Sequence, residues 1–285
     1  MPPHAVVPPR YAQIADRDAI VDRAALARAL GDLPGDNPQQ LRLAATRCLR
    51  DALADGRAEI ARRIAERPTH GLEAAAAGAY LVDGIVVALA DFTLHRLHPN
   101  PNPTGAQRMA LVAVGGYGRA EMAPQSDVDI AFLTPWKQTA WSEQIIESML
   151  YALWDLRLKV GHSARSLDEM VRQAHADGTV RTALLEARFL WGDAALYDEA
   201  AARFRSEVQG DARAFIADKL AERDARHKRM GDTRYVVEPN VKEGKGGLRD
   251  LHALFWIGKY AYGVRRAADL VDVGVLSPAE HRQFN

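Results

Sequence analysis

Cysteine is nearly absent from this sequence of 285 residues, since Cys48 is the only one. A single cysteine excludes an internal disulfide framework and a zinc site built from cysteines. An excess of one charge is also missing, because 37 lysines and arginines balance 37 aspartates and glutamates. We therefore expect no binding of nucleic acid or of an anionic membrane through overall charge.

A secretory signal and a long uninterrupted apolar run are missing as well. The first residues, "MPPHAVVPPRYAQIADRD", lack the basic and then apolar layout of a signal peptide. The most apolar window, "AAAAGAYLVDGIVVALADF", is interrupted by Asp83 and Asp91. An ionised carboxylate at the centre of a bilayer costs about 2.5–3.5 kcal/mol, so the window predicts a buried helix in a cytoplasmic protein.

The residues that are present predict helices around one strand-rich segment. Apolar positions three and four apart predict helices over 39–66 and about 72–97, and "HPNPNPTG" closes this part as a turn. Short apolar runs predict strands over 109–115 and 128–134, and "LKVGHSARS" predicts a third. The helical period returns in "TAWSEQIIESMLYALWDLRL", between the second and third of these strands.

These patterns predict an α+β fold with a small mixed β-sheet at its core. We expect an N-terminal helical region over 1–104, the core over 105–165, and a helical extension over 166–285. In the extension, "TVRTALLEARFLWG" and "DARAFIADKLAERDARHKRM" predict helices, and "TRYVVEPNVKEGKGG" predicts an extended piece before the helix "LRDLHALFWIGKYAYG".

The last residues predict the start of one more helix. Ser277 fits the N-cap, Pro278 the first helical position, and Glu280 completes a capping box. Since the sequence stops barely two turns later, we expect it to be a fragment of a longer protein.

The stretch "VAVGGYGRAEMAPQSDVDIAFL" contains the strongest functional pattern. Asp127 and Asp129 are two apart on a predicted strand, so their side chains project from the same face. Two neighbouring carboxylates repel each other unless a cation lies between them. Oxygen ligands with open positions suit Mg²⁺, which takes its remaining ligands from water and substrate phosphates.

The glycines before the aspartates predict a phosphate-binding turn. Gly115, Gly116 and Gly118 let backbone N–H groups approach a phosphate without a Cβ in the way. Ser126 adds a hydroxyl donor, and Arg119 can neutralise a phosphate oxygen. A triphosphate bound by the turn would bring its metal to the aspartates, which is the outline of a nucleotidyl-transfer site.

Two common phosphate-binding motifs fit this stretch less well. "GYGRAE" has Glu121 where the dinucleotide-binding pattern needs its third glycine, and Pro124 predicts a turn instead of the following helix. A Walker phosphate-binding loop is absent from the sequence. The structural alternative is a tight β-turn followed by a solvated pair of aspartates.

The pattern G-G-x-G-R-x-E followed by P-x-S-D-x-D resembles the polymerase-β-type nucleotidyltransferase superfamily. With "NVKEGKGGLRDLHAL" about 110 residues later, and "LKVGHSARS" and "LLEARFLWG" between, the sequence resembles the bacterial PII uridylyltransferase/uridylyl-removing enzymes. The resemblance covers residues 105–285 strongly and the N-terminal helices weakly.

The resemblance implies a Mg²⁺-dependent transfer of UMP from UTP to a tyrosine of the PII signalling protein in nitrogen regulation, with release of pyrophosphate. In that family, a metal-dependent HD domain removes UMP and C-terminal ACT domains sense glutamine. Neither is visible here, and the nine histidines include no His-Asp dipeptide. We therefore expect no uridylyl removal by this fragment, and glutamine as an effector only through the absent ACT domains.

The resemblance also implies roles for particular residues. Asp127 and Asp129 match the metal-binding carboxylates, and Gly115, Gly116 and Ser126 match phosphate-contacting positions. Many members of the superfamily have a third carboxylate on a neighbouring strand. Asp155 is the candidate here, although a helix-end carboxylate in a surface salt bridge is the simpler explanation and the site can work with two carboxylates.

The second block of the resemblance has a basic turn that opens a helix. Lys242, Lys245 and Arg249 surround Gly246-Gly247, and a helix N-terminus favours phosphate. One hypothesis is that these residues bind the nucleotide, or that the block holds the preceding strand beside it. In the simpler alternatives, Asp250 caps or charge-balances the helix start and the basic turn is only solvated.

Three further points stay open at the level of sequence. His162 can contact the nucleotide or serve as a hydrogen-bonded structural histidine. A related adenylyltransferase that modifies glutamine synthetase has the same glycine and S-D-x-D pattern, so the choice between UTP and ATP is not readable. The fragment can also be a nucleotide-binding or docking module that is inactive without its missing domains.

Overall fold

A computed structural model describes residues 8–102, 104–233, 238–264, 266 and 268–284. The chain forms two compact units. The first comprises Met1–Gln173 and Glu186–Ala202, and the second comprises Ala174–Leu185 and Arg203–Asn285.

The first unit begins with three helices, α1 (Arg23–Gly31), α2 (Pro38–Glu66) and α3 (Gly71–Phe92). Asn37 caps α2, since its side chain accepts hydrogen bonds from two backbone N–H groups of the first turn, and Pro38 occupies the first helical position. One face of α2 is buried, which confirms the helix predicted over 39–66. The buried apolar residues of that face are Leu41, Ala45, Leu49, Leu53 and Ile60.

Helix α3 is the central helix of this unit and continues as a π-helical turn over Thr93–Leu97. Gly71–Leu97 is long and apolar enough to cross a membrane, but most of it is buried inside the protein. The buried carboxylate of Asp83 is ion-paired within the unit. These features are those of a core helix, as the sequence predicts.

The sheet of the first unit has four strands in the order β3-β2-β1-β4. They are β1 (Ala110–Ala113), β2 (Val128–Thr134), β3 (Val160–Ser166) and β4 (Arg188–Gly192). Strand β1 pairs antiparallel with β2 and β4, whereas β2 and β3 are parallel. The sheet is therefore mixed, and together with the helices it confirms the α+β class.

Strand β4 corrects the prediction of one helix over "TVRTALLEARFLWG". The helix α7 (Gly178–Leu185) ends before the strand begins at Arg188. Phe189 and Trp191 favour extended backbone, and β1 offers them a free edge for hydrogen bonding. Pairing between residues about 80 positions apart is not visible in a local period.

The remaining elements of the first unit follow the sequence more closely. The single helical turn α4 (Gly115–Gly118) lies between β1 and β2, and α5 (Ala140–Asp155) connects β2 to β3. Thr139 and Ser142 form a reciprocal capping box at the start of α5. The helices α6 (Leu167–Ala176) and α8 (Ala194–Arg203) follow β3 and β4.

The second unit contains α7, α9 (Ala212–Arg229), α10 (Leu248–Tyr262), α11 (Asp269–Asp272) and α12 (Pro278–Phe284), with a π-helical turn over Phe204–Val208. Its small core includes Phe215 stacked on Tyr260 with ring centroids 4.0 Å apart.

Two predictions for the second unit can be compared with the structure. The extended piece predicted before α10 includes residues 234–237, which lie outside the described residues. Ser277 and Glu280 form the predicted capping box, with reciprocal bonds of 3.2 and 2.8 Å.

The compact units do not follow the three predicted regions. The N-terminal helices and the sheet share one hydrophobic core, in which Leu49 and Ile85 pack with Phe132 and Ile145. A division into functional regions at 104 and 165 stays a prediction, since compactness does not test it.

Candidate active site

The glycine turn lies between the end of β1 and the start of β2. Its backbone is fastened to β2 because the Val114 N–H donates to the Asp129 carbonyl at 3.0 Å. Gly115 follows with φ of +60°, a conformation that favours glycine, and the chain then makes the helical turn α4. The glycines thus form one helical turn, whose first N–H groups have no partner within the turn itself.

Asp129 lies on β2 directly beside this turn and beside β3. A Cβ built on Gly115 would be 3.4 Å from Asp129 Oδ2, and a Cβ built on Gly161 would be 2.3 Å from Oδ1. Gly161 is the parallel-strand partner of Asp129. The Asp129 carboxylate therefore lies between two positions without side chains, and the second cannot accept a side chain without moving the carboxylate.

The electrostatic state of the aspartate pair is unfavourable in the protein alone. Burial raises the pKa of the Asp129 carboxyl above its ordinary value, and the neighbouring Asp127 carboxylate raises it further. Asp127 is exposed and immediately precedes β2. No described lysine, arginine or histidine forms an ion pair with either aspartate. Two oxygen donors of like charge, with no cation between them, fit a divalent ion such as Mg²⁺.

A third carboxylate is not gathered at this position. Among the described residues, no group of three histidine, cysteine, aspartate or glutamate side chains could hold a metal ion. Asp155 is exposed at the C-terminal end of α5. Its predicted role as a metal ligand therefore gains no support from the structure.

Gly118 and Arg119 have structural contacts that the sequence does not indicate. A Cβ on Gly118 would be 2.0 Å from the Glu186 carbonyl oxygen, so close packing alone requires glycine there. Arg119 forms ion pairs of 2.9 Å with Glu121 and 3.8 Å with the buried Glu186. Their roles in binding nucleotide stay predictions, as does that of the half-buried Ser126.

A buried ionic network lies beneath the glycine turn. Arg188 donates to the carbonyls of Tyr117 and Gly118 at 3.1 and 3.2 Å. The same guanidinium forms two hydrogen bonds of 2.8 and 3.0 Å with the Asp83 carboxylate. Tyr11 donates its hydroxyl to Asp83 at 2.7 Å. Helix α3 and strand β4 thereby hold the carbonyl end of the turn in place.

Sequence reasoning missed Asp83, Arg188 and Gly161 as residues of this site. A charged residue within an apolar helix was a usable signal for Asp83, because a buried carboxylate needs a partner. For Gly161, the available signal was a glycine within the predicted third strand, where close approach of another group is one common reason for glycine. Nothing local in the sequence pairs Arg188 with a residue 105 positions earlier.

The predicted basic block lies in the second unit, whereas the aspartates lie in the first. Lys245 forms an ion pair with Asp232 at 3.0 Å, and Arg249 forms one with Glu243 at 3.3 Å. Lys242 is exposed. Their binding of nucleotide stays a prediction.

Asp250 has the capping role that the simpler hypothesis for this block assigns to it. Its carboxylate accepts a 2.7 Å hydrogen bond from the Gly246 N–H, and it contacts His227 at 2.9 Å and also Arg226. Burial alone would raise the pKa of Asp250, but these hydrogen bonds outweigh it and lower the pKa. The start of α10 is therefore electrostatically balanced.

His162 is exposed on β3, with its ring centroid 6.1 Å from that of Trp154 on α5. It pairs with Ile130, one position along from the pairing of Gly161 with Asp129. Because side chains alternate between faces of a strand, His162 projects from the face opposite to Asp129. This position offers no support for contact with a nucleotide at the aspartates.

The family model and the curated relatives that match this chain are all named as uridylyltransferases. Residues 214–285 match the family model described as GlnD PII-uridylyltransferase. The chain is 57% identical over 273 residues to the bifunctional uridylyltransferase/uridylyl-removing enzyme of Novosphingobium aromaticivorans, an alignment that covers 95% of this chain and 30% of the relative.

Enzymes with the same name from Erythrobacter litoralis and Rhodospirillum rubrum are similarly close. They are 56% and 51% identical over 266 and 271 residues, and each alignment covers 93% of this chain and 29% of the relative. The chain therefore spans about 30% of the length of these relatives. Because more than half of the residues are identical over nearly the whole chain, it belongs to the family of bacterial bifunctional uridylyltransferase/uridylyl-removing enzymes.

Proposed function

We propose that this chain is the nucleotidyltransferase part of a cytoplasmic enzyme that transfers UMP from UTP to a tyrosine of the PII nitrogen-regulatory protein. The observation that carries the proposal is the position of Asp129, between Gly115 and Gly161 and beside Asp127. The names of the relatives support uridylyl transfer, and the name of the family model supports PII as the acceptor.

Asp127 and Asp129 would hold Mg²⁺ through their carboxylate oxygens. When bound, the ion supplies positive charge that offsets the charge of the triphosphate during transfer. The fit rests on the donor set, because two oxygen ligands leave positions for phosphate oxygens and water. The raised pKa of Asp129 fits such a site, since a bound cation favours the ionised carboxylate.

The glycine turn would orient the triphosphate. The first N–H groups of α4, from Gly115 onward, are the groups that a helical turn leaves without internal partners. Arg188 stabilises the opposite, carbonyl end of the turn. Catalysis would then come mainly from positioning of the reactants and from stabilisation of charge.

In the proposed reaction, the tyrosine oxygen attacks the α-phosphorus of UTP. A bond forms between that oxygen and phosphorus, the bond to the bridging oxygen breaks, and pyrophosphate leaves with the electron pair. The phenolic proton passes to solvent. We expect no removal of UMP by this chain, since the HD domain that the family resemblance implies is not among its motifs.

The test is transfer of label from UTP or ATP to purified PII in the presence of Mg²⁺. We expect label from UTP and a loss of at least about 10²–10³-fold for Asp127→Asn. Asp55→Asn, at an exposed position of α2, is the matched control and should behave like the unchanged chain. Label from ATP alone would contradict the choice of nucleotide, and bound UTP without transfer would indicate a docking module.

A further inference from the structure

Strand β3 is an edge strand, and the residue that separates its open edge from Asp129 has no side chain. The sheet order places β3 outside β2, and Gly161 is the strand partner of Asp129. Gly161 is exposed. From the edge of the sheet, the path to the aspartate therefore crosses bare backbone.

The hydrogen-bonding groups on this edge can be assigned from the register. The Val128 N–H donates to the Lys159 carbonyl, so the backbone hydrogen-bonding groups of Lys159 point toward β2. These groups alternate in direction along a strand, so those of Gly161 and Ser163 also point toward β2. The backbone groups of His162 and Ala164 therefore point away from the sheet. Ser166 agrees with this assignment, because its N–H bonds to the Glu169 side chain at 3.1 Å instead of to β2.

A groove follows this edge. It has a volume of about 590 Å³ and lies between β3 and α5. The β3 wall is formed by residues 162–165, and the α5 wall by Glu143, Ile146, Glu147 and Leu150. These α5 residues combine buried apolar side chains with two exposed carboxylates. A free strand edge beside a helix is the arrangement in which an extended segment adds as a new strand.

We propose that an extended, tyrosine-containing segment of the protein substrate binds in this groove as an additional strand on β3. The proposal rests on the proposed function and names how its acceptor is presented. Basic side chains of the segment would face Glu143 and Glu147, and apolar ones would face Ile146 and Leu150.

The distance from the added strand to the Asp129 carboxylate allows a tyrosine of that strand to accept the transferred group. Neighbouring strands are about 4.8 Å apart, so the added strand would lie about 10 Å from β2. The Asp129 carboxylate extends from β2 to within 2.3 Å of the Cβ position of Gly161, so it lies about one strand spacing from the added strand. That separation is within the reach of aromatic side chains, which contact positions about 7–8 Å apart in a sheet. A tyrosine placed beside Gly161 projects from the same face as Asp129, and its hydroxyl passes over the glycine toward the metal-binding carboxylates.

Ala164→Pro tests the proposal, because proline removes an outward N–H and is tolerated at such positions of edge strands. We expect Mg²⁺–UTP binding, measured by calorimetry, to stay within twofold of the unchanged chain. Transfer to PII should lose at least tenfold in kcat/KM, mainly through KM. The matched variant Ala164→Ser keeps the N–H and separates loss of the donor from a change of side chain.

Amide hydrogen exchange on the unchanged chain gives a second measurement that does not depend on a variant folding. With PII and a non-hydrolysable UTP analogue, exchange should slow at least tenfold at His162 and Ala164, with little change at Gly161 and Ser163. Unchanged exchange at His162 and Ala164 would overturn the proposal. Full transfer to PII by Ala164→Pro would also overturn it. So would slowed exchange at His162 and Ala164 in the absence of PII, caused by binding of a second copy of the chain.

Failure of the proposed function is distinguishable from failure of this docking mode. If the unchanged chain transfers no label from UTP to PII, the function itself is contradicted and the docking mode with it. Only the docking mode is contradicted if the unchanged chain transfers label, Ala164→Pro transfers it equally well, and exchange at His162 and Ala164 does not change when PII is added.

Discussion

Two glycine turns with neighbouring aspartates occur in this chain, and their electrostatic states are opposite. In the first unit, Asp129 lies beside another carboxylate, and its pKa is raised by burial and by Asp127. In the second unit, Asp250 contacts Arg226, His227 and the Gly246 N–H, and its pKa is lowered by these hydrogen bonds.

The difference separates the proposed metal-binding site from a structural cap. Asp250 has its cationic and N–H partners within the protein, so it stabilises the start of α10 without any ligand. Asp129 has a second carboxylate as its neighbour instead, and under the proposed function a bound cation would offset the repulsion between them. Similar motifs in sequence thus have different electrostatic environments because of the charges that the fold brings to them.

The largest expected effect comes from breaking the support beneath the first turn. Asp83→Ala should lower the free energy of unfolding by about 3–5 kcal/mol, because it leaves the Arg188 guanidinium buried without its counter-ion. Chemical denaturation measures this loss. Asp91→Ala is the control on the same helix: it is exposed, accepts one hydrogen bond from Trp191, and should lose about 1 kcal/mol.

A smaller effect is expected when the Asp129 carboxylate is displaced. Gly161→Ala adds a Cβ only 2.3 Å from Oδ1 of Asp129, which is too close for van der Waals contact, so the carboxylate has to move. Because a displacement of about 1 Å can cost 10²-fold in rate, we expect a loss of about that size in label transfer. Gly71→Ala, where no atom lies within 4 Å of the new Cβ, should retain transfer. Equal rates for both variants would contradict the assigned position of Asp129.

Removing the cap of the second turn should act on stability alone. Asp250→Ala removes charged hydrogen bonds to His227 and Arg226, and we expect a loss of about 1.5–3 kcal/mol in the stability of that unit. Asp232→Asn, at an exposed ion pair with Lys245, is the control and should leave stability nearly unchanged, because solvent screens an exposed ion pair. Residue-resolved hydrogen exchange would locate the loss.

The smallest effect is a difference in pH dependence between the two regions. The lowered pKa of Asp250 stabilises the fold above the ordinary carboxyl value, about 3.9, and this contribution is lost as the pH falls toward the lowered value. The raised pKa of Asp129 makes a contribution to stability of the opposite sign. The ionised carboxylate destabilises the metal-free fold, and this loss of stability disappears as the pH falls through the raised pKa and the carboxylate is protonated.

Carboxyl titration by NMR, with and without Mg²⁺, measures both behaviours. We expect Mg²⁺ to lower the apparent pKa of Asp129 and to leave that of Asp250 unchanged, since only the former would bind the ion. A shift of Asp250 as large as that of Asp129 would contradict the distinction between the two regions.

Most of the helices and three of the four strands could be predicted from the sequence. Their signals are local, as in the apolar face of α2 or the capping box at Ser277. Strand β4 could not be predicted, because its extended backbone is stabilised by pairing with β1, far away along the chain. The prediction extended the helical pattern of α7 across the residues that form β4, which was wrong.

The candidate site divides in the same way. Asp127 and Asp129 and the glycines before them form a local motif, so residue types and their spacing were enough to suggest metal-binding chemistry. Family membership also follows from the sequence, through motifs that span most of the chain. Neither conclusion needs three-dimensional coordinates, because residue type and spacing contain the information.

Which charges are left without counter-ions depends on the tertiary structure. The fold places Gly161 beside Asp129, joins Asp83 to Arg188 beneath the glycine turn, and pairs Asp250 with His227. These contacts join residues distant in sequence, and a pKa depends on burial and on charges a few ångströms away in space. The open edge of β3 beside the aspartates is likewise a property of strand order.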